Sequence, residues 1–137
     1  MHEVSLCCGI ADAVGRALPG RRVAAVHVVV GALRQVVPDA LVHAWRVVVR
    51  GTPLAGSELR VRVVPAVLRC DACTAERRVG RALGFGCAAC GSDRTRLTSG
   101  EELVLAAVDL HDHDHDPPTT TTTTTTTGAR HGPLPPP

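Results

Sequence analysis

The chain has 137 residues, and its 15 basic and 13 acidic side chains give a formal net charge of +2. All 15 basic residues are arginines, which excludes catalysis through a lysine Schiff base. The only aromatic residues are Trp45 and Phe85, too few to form a stacking platform for single-stranded nucleic acid. The side chains that remain for chemistry are six cysteines and seven histidines, which are metal ligands by nature.

No segment has the roughly 18 consecutive apolar residues that a membrane span requires. The N-terminus lacks both a basic start and an uninterrupted apolar run, so we expect no signal peptide. These features predict a cytoplasmic protein. In a reducing compartment, paired cysteines are metal ligands or redox groups more often than structural disulfides.

The composition changes near residue 109. Residues 111–137 contain a His/Asp repeat, nine consecutive threonines and six of the ten prolines, which predicts a disordered tail. Residues 1–108 carry 14 basic and nine acidic groups, a net charge of +5. We expect an α/β domain from residues 1–65 plus 99–110, an inserted module at residues 66–98, and the tail at 111–137.

Two helices are predicted in the α/β domain. Apolar residues at helical spacing indicate a helix from Ser5 to Leu18, and Pro19 follows it. Pro38 and Asp39 suit the first turn of a second helix. Leu41 and Trp45 would share one face of that helix.

Three strands complete the predicted domain. Valine-rich or alternating segments indicate strands over Val23–Gly31, Leu59–Val63 and Leu103–Leu110. We therefore expect an α/β (α+β) fold in which a small mixed sheet packs with two helices. The cysteine-bearing segment would be an insertion between two of these strands.

The insertion contains two Cys-x-x-Cys pairs separated by thirteen residues. The pairs are formed by Cys70 with Cys73 and by Cys87 with Cys90, and Gly91 follows the second pair. Two such turns supply the four thiolates of a closed tetrahedral site, which Zn²⁺ usually occupies. A closed site leaves no position for a substrate, so the predicted zinc ion is structural.

Other interpretations of the four cysteines are a rubredoxin-like iron site, two redox dithiols or two disulfides. A zinc-ribbon nucleic-acid-binding adaptor is the main alternative, because six arginines flank the cysteines and arginine binds phosphate. These are Arg69, Arg77, Arg78, Arg81, Arg94 and Arg96. A solvated basic surface is the simpler interpretation, since no recognisable nucleic-acid motif accompanies the charges.

The N-terminus offers a second arrangement of ligands. The Met1 amine, the His2 amide nitrogen and the His2 imidazole can form fused chelate rings in one plane. Square-planar nitrogen ligands suit Ni²⁺ or Cu²⁺ better than Zn²⁺. Such binding requires the ligands to lose protons, so it weakens at lower pH.

Several motifs along residues 1–110 resemble the HypA/HybF family of hydrogenase maturation nickel metallochaperones. The matching segments are Met1–Cys7, Gly31–Leu33, Pro38–Leu41, Arg50–Thr52, the two cysteine pairs with Gly91 and Ser92, and Ser99–Leu103. The Met-His-Glu start combined with a late four-cysteine module is specific to that family. The tail after residue 110 has no counterpart in the family pattern.

The resemblance implies a protein that is not an enzyme but binds Ni²⁺ at its N-terminus, with His2 as a ligand and Glu3 nearby. It also implies a structural Zn²⁺ on the four cysteines. The implied partners are a GTPase of hydrogenase maturation and the [NiFe]-hydrogenase large-subunit precursor, and in some members urease maturation proteins. A nickel protein of this kind would bind neither nucleic acid nor membrane.

The remaining histidines and cysteines have weaker assignments. His111, His113 and His115 alternate with aspartates, so the tail is a candidate nickel reservoir. His27, His43 and His131 have no predicted metal role. Cys7 lies on the apolar face of the first helix and is predicted to be in the core, whereas Cys8 has no assigned role.

Overall fold

The computed structural model describes residues 2–80 and 84–112. Its elements in chain order are α1 (His2–Ala17), β1 (Val23–Gly31), a 3₁₀ helix (Ala32–Arg34), α2 (Pro38–Val48), β2 (Glu58–Val64), β3 (Val67–Cys70), β4 (Glu76–Arg78), β5 (Thr95–Ser99) and β6 (Leu103–Leu110). The predicted disordered tail falls outside the described residues except for His111 and Asp112. No described helix is long and apolar enough to cross a membrane.

The main sheet has the strand order β2-β1-β6. β1 pairs with β2 in parallel and with β6 antiparallel, so the sheet is mixed. The parallel pair needs a crossover, which α2 provides. The predicted α+β class, with two helices on a small mixed sheet, is confirmed. The division of the chain into domains at the stated residues stays a prediction.

The two helices were predicted with different success. α2 begins at Pro38 as expected, but α1 begins at His2 and not at Ser5. Glu3 lies in the first turn of α1, where its charge interacts favourably with the helix dipole. The extra turn matters because it makes His2 a helical residue.

The core is mostly aliphatic and lies between the helices and one face of the main sheet. Cys7, Leu41 and Trp45 are fully buried there, which confirms the core position expected for Cys7. The Trp45 indole N–H donates to both the backbone carbonyl oxygen of Ser57 (3.2 Å) and its hydroxyl oxygen (3.1 Å). Ser57 Oγ also donates to the Leu54 carbonyl oxygen at 2.6 Å. These hydrogen bonds hold the loop after α2 against the core.

β3, β4 and β5 form a second sheet in the order β4-β3-β5. The chain enters it after β2 and returns to β6, so the cysteine-bearing segment is an insertion between these two strands, as predicted. The three short strands themselves were not predicted.

The two sheets meet where β1 ends. The Gly31 N–H donates to the Glu102 carbonyl oxygen at 2.7 Å, and the Leu33 N–H donates to the Gly100 carbonyl oxygen at 2.8 Å. A Cβ atom on Gly31 would lie 2.1 Å from the Gly100 carbonyl group, and one on Gly100 would lie 2.5 Å from Ala66 Cα. Glycine at these two positions therefore allows the inserted module to pack directly against the main sheet.

Candidate metal centre

The four cysteines of the two pairs form one cluster. The sulfur atoms of Cys70, Cys73, Cys87 and Cys90 all lie within 4.8 Å of one another. Two of the sulfur–sulfur distances are 3.6 Å (Cys70 to Cys90) and 3.5 Å (Cys73 to Cys87). Four sulfurs around a tetrahedral zinc ion, at a Zn–S distance of about 2.3 Å, would be about 3.8 Å apart. The cluster thus has nearly the dimensions of a zinc site.

Tight turns present the sulfurs. The Thr74 N–H donates to the Cys70 carbonyl oxygen, and the Gly91 N–H donates to the Cys87 carbonyl oxygen, both at 2.9 Å. Gly91 has a φ of +73°, a conformation that glycine adopts without steric cost. A glycine directly after the second pair therefore suits this turn.

The thiols of this cluster are electrostatically unequal. Backbone N–H groups, first that of Cys90 and then that of Ala89, lower the pKa of Cys87 to about 6. The Ser92 N–H acts to lower the pKa of Cys90, but hydrogen bonds with the other three sulfurs raise it to about 12. A cation that binds the four sulfurs as thiolates must displace their protons.

Arg77 supports the second cysteine turn. Its guanidinium donates through Nη2 to the carbonyl oxygens of Gly84 and Gly86, the latter at 2.9 Å. Gly86 precedes Cys87, so this contact fixes the approach of the chain to the cluster. Sequence reasoning grouped Arg77 with the basic surface and missed this structural role, which no local pattern signals.

Two other flanking arginines are paired with acids of the same module. Arg69 Nη1 lies 3.6 Å from a Glu76 carboxylate oxygen, and Arg96 Nε lies 3.1 Å from an Asp71 oxygen. Together with Arg77, three of the five flanking arginines that the structure describes have protein partners. The module therefore offers less free positive charge for a phosphate backbone than its composition indicates.

His2 lies in the first turn of α1 and is exposed. The first backbone N–H groups of an α-helix have no intrahelical acceptor, so the His2 amide is not needed for the helix. The Cys7 thiol donates to the Leu41 carbonyl oxygen at 3.4 Å, which brings the first turns of α1 and α2 to one end of the molecule. Glu3 and Asp39 occupy those first turns.

The cysteine doublet on α1 divides between core and solvent. Cys7 is 0% exposed, and burial, followed by the nearby Cys8 and Glu3, raises its pKa to about 11. Cys8 is exposed. Neither residue belongs to the metal-ligand cluster found among the described residues.

None of the other histidines that the structure describes belongs to the cysteine cluster. His27 Nε2 is 2.8 Å from an Asp109 carboxylate oxygen, and Arg60 Nη1 is 3.6 Å from the same oxygen. His43 is exposed on α2. The His111 N–H donates to the Arg22 carbonyl oxygen before β1, whereas His113, His115 and His131 lie outside the described residues.

Comparisons with known proteins extend these observations. The family model described as "Hydrogenase/urease nickel incorporation, metallochaperone, hypA" matches residues 1–110. The chain is 38% identical over 113 residues to hydrogenase maturation factor HypA of Chloroflexus aurantiacus, covering 80% of this chain and 98% of the relative. It is 34% identical over 116 residues to the HypA of Desulfatibacillum aliphaticivorans, covering 82% of this chain and 88% of the relative.

A solved structure shows the same fold. The solution structure of the Ni metallochaperone HypA from Helicobacter pylori superposes with a TM-score of 0.51. The two chains are 17% identical, and the superposition covers 78% of this chain and 92% of the other. The likeness supports the arrangement of helices, main sheet and inserted module.

Proposed function

The chain belongs to the HypA family of hydrogenase and urease nickel-incorporation metallochaperones, which are not enzymes, and we propose that it receives Ni(II) at its N-terminus and helps to insert it into the [NiFe]-hydrogenase large subunit. The exposed position of His2 in the first turn of α1 is the observation that supports the site of binding. Nickel is the cargo in this function.

The ligand set we propose consists of nitrogens. The His2 imidazole, the His2 amide nitrogen and the Met1 amine can occupy adjacent positions of a square-planar ion. The amide is available because its place in the helix leaves it without an intrahelical acceptor. Glu3 and Asp39 supply negative charge at the same end of the molecule, which offsets the positive ends of the two helix dipoles.

The four clustered cysteines would hold a structural Zn²⁺. Their spacing fits a tetrahedral ion, and four thiolates fill its coordination sphere. When bound, the ion would supply folding free energy to a module whose three strands contain only twelve residues. Arg77 and the turn at Gly91 hold the second pair of cysteines in place, so that the four sulfur atoms stay close together.

The proposed partners follow from the family. They are a GTPase of hydrogenase maturation, the [NiFe]-hydrogenase large-subunit precursor and, by the urease part of the family description, urease maturation proteins. We propose the cytoplasm as the location. A site with few and labile ligands suits this role, because it can pass the ion on by ligand exchange.

The test of the nickel site compares His2→Ala with His43→Ala. Both are made in a full-length, zinc-loaded background in which His111, His113 and His115 are alanine, so that the tail repeat does not contribute. His43 is a matched control because it is also an exposed helical histidine. Isothermal titration with Ni²⁺ should show one tight site that His2→Ala weakens at least about 100-fold and His43→Ala leaves unchanged.

An unaltered tight site in His2→Ala would contradict the proposal. The nucleic-acid adaptor would be supported in its place if the same variant retained binding to nucleic acid that weakens steeply with salt. Urea titration of both variants establishes that a change in nickel affinity does not arise from unfolding.

A further inference from the structure

One end of the main sheet is rich in arginine. α1 and α2 begin side by side, where the Cys7 thiol donates to the Leu41 carbonyl oxygen, so both helices end toward the start of β1. A five-residue turn then connects α1 to β1. We call the arginines at this end of the sheet the basic patch, which consists of Arg16, Arg21, Arg22, Arg46 and Arg50.

The basic patch has no acidic partner among the residues that the structure describes. None of its five guanidinium groups forms an ion pair with a described carboxylate. Two acids at the same end are already paired, Glu58 with Arg60 at 3.2 Å and Asp109 with His27 at 2.8 Å. These acids therefore leave the positive charge of the patch largely uncompensated.

The helix dipoles account for only part of the basic patch. Arg16 and Arg46 lie in the last turns of α1 and α2, where a positive side chain offsets the partial negative charge of the helix end. Asp12, one turn before Arg16, adds one negative charge on α1. The three other arginines lie outside the helices, so this end keeps an excess of roughly three positive charges.

Two arginines of the patch border a cleft. Arg46 and Arg50 are four residues apart, and both line a cleft of about 560 Å³ between α2 and the start of β2. The cleft lies at the same end as the start of β1, because Glu58 on its rim pairs with Ala25. A guanidinium group binds a carboxylate through two parallel hydrogen bonds, so the cleft suits carboxylate ligands.

The tail leaves the main sheet beside this patch. β6 ends next to the start of β1, and the His111 N–H donates to the Arg22 carbonyl oxygen. Since β1 lies between β6 and β2, the cleft is roughly 10 Å across the sheet from the end of β6. Asp116 follows His111 by five residues, a reach of roughly 16 Å. The aspartates of the His/Asp repeat are thus within reach of the cleft.

We propose that the basic patch binds the aspartates of the chain's own tail, with the carboxylates of Asp114 and Asp116 on the guanidinium groups of Arg46 and Arg50. The tether at His111 gives these carboxylates a high effective concentration at the patch. Exposed ion pairs are individually weak, so the contact should form at low salt and open at high salt.

The charges at the other end of the main sheet favour the same arrangement. The acids near the end of β1, where the helices begin and the inserted module joins, are Glu3, Asp39, Glu101 and Glu102. They would repel the aspartates of the tail. The contact would therefore keep the histidines of the repeat at the end of the sheet that is farthest from His2.

Energy transfer from Trp45 tests the contact. Trp45 is the one tryptophan of the chain and precedes Arg46 on α2, so transfer to a dye on the tail reports how close the tail lies. The dye is attached to Thr119→Cys in a full-length, zinc-loaded, nickel-free Cys8→Ser background. Transfer should fall at least about two-fold between about 20 mM and 1 M NaCl, because salt screens the ion pairs.

Paired substitutions locate the contact. Asp114→Asn with Asp116→Asn should reduce transfer at low salt to its high-salt value, and Arg46→Gln with Arg50→Gln should do the same. The aspartate variant keeps the test decisive if the arginine variant fails to fold, because its substitutions follow β6. Amide NMR spectra of the aspartate variant and the wild type should then differ at residues 46–58.

Arg62→Gln with Arg78→Gln is the matched control. It removes the same charge from two exposed arginines outside the patch and should leave the transfer unchanged. Transfer that does not respond to salt, or that the aspartate variant retains, would overturn the proposal. So would an equal loss in the control variant. A DNA duplex bound equally tightly by the wild type and the aspartate variant would also overturn it, because the tail would then not occupy the patch.

Discussion

Adjacent cysteines on α1 experience opposite environments. Cys7 is fully buried against the first turn of α2, and Cys8 faces solvent. The helical period explains this, because consecutive residues point about 100° apart and only one of them can face the core. The apolar spacing around Cys7 was therefore enough to predict its burial, whereas nothing in the sequence indicated a role for Cys8.

We expect thiol alkylation to distinguish the two residues. At about pH 8 iodoacetamide should modify Cys8 within minutes in the zinc-loaded protein, whereas Cys7 should react only after denaturant is added. Burial keeps the reagent from reaching Cys7. It also raises the pKa of Cys7 to about 11, so little of the reactive thiolate is present. Peptide mass spectrometry checks the result. Equal labelling rates at the two positions would contradict the packing of α1 described above.

The cysteine spacing predicted one cluster but not the support around it. Cys-x-x-Cys turns are local, so the sequence alone identifies them. The contacts of Arg77 with the carbonyl oxygens of Gly84 and Gly86 join residues seven and nine positions apart, and no periodicity reveals them. The same limit applies to the strands of the module, which are too short to show an alternating pattern.

Removal of one cluster cysteine should unfold the module and leave the main sheet intact. In Cys73→Ala we expect bound zinc to fall from one equivalent to less than half, because a ligand of the proposed tetrahedral site is lost. Hydrogen exchange should show loss of protection in β3 and β5 with β1 still protected. Cys8→Ala is the control and should retain zinc. Native zinc content in Cys73→Ala would be evidence against a four-cysteine site.

The contact between the two sheets could not be predicted from the sequence. Gly31 was assigned only to the end of a strand, and its contact with Gly100 spans 69 residues of sequence. Close backbone approach has no local signature, because glycine also occurs in turns and at helix ends.

Alanine substitutions at two glycines should move stability in opposite directions. Gly31→Ala should lower the free energy of unfolding by about 1–3 kcal/mol, because its Cβ would overlap the Gly100 carbonyl group. Gly15→Ala should raise it by roughly 0.5–1 kcal/mol, because Gly15 lies inside α1 with no neighbouring atom within 4 Å of an added Cβ. Urea titration of the zinc-loaded variants compares them. An unchanged free energy of unfolding in Gly31→Ala would contradict the close contact between Gly31 and Gly100.

At the scale of the whole molecule, the first turn of α1 and His111 lie at opposite ends of the main sheet. The first turn of α1 lies near the end of β1, where the inserted module joins, whereas His111 bonds to Arg22 just before β1 starts. β1 is nine residues long, roughly 30 Å. The proposed nickel site at His2 and the first histidine of the candidate reservoir are thus separated by about the length of a strand. The family resemblance implied the first feature and the His/Asp repeat indicated the second, but neither reveals the distance between them.

Acid should weaken the contacts of Asp109 on β6 with His27 on β1 and Arg60 on β2. The hydrogen bond with His27, and then the charges of His27 and Arg60, lower the pKa of Asp109 in the folded chain. This carboxylate therefore stabilises the fold above the ordinary aspartate pKa near 4, and the contribution is lost as the pH falls through the lowered pKa.

Asp109→Asn should accordingly melt a few degrees below the wild type at about pH 7, and the difference should narrow as the pH falls from about 4 to about 2.5. Circular dichroism of both proteins across this range gives the comparison. Asp12 is an exposed carboxylate on α1, so Asp12→Asn is the control. It should leave the melting temperature unchanged at both ends of the pH range. A deficit of Asp109→Asn that persists at the acid end of the range would show that its charge is not responsible.

The burial of Trp45 has a spectroscopic consequence. The chain contains one tryptophan and no tyrosine, so its near-ultraviolet fluorescence arises almost entirely from a single indole in the core of the main sheet. The inserted module has no such fluorophore, but cobalt bound to its thiolates would absorb visible light. Emission from Trp45 and absorbance of a cobalt-substituted cluster would therefore report the unfolding of the two sheets separately, in one sample and without any added label.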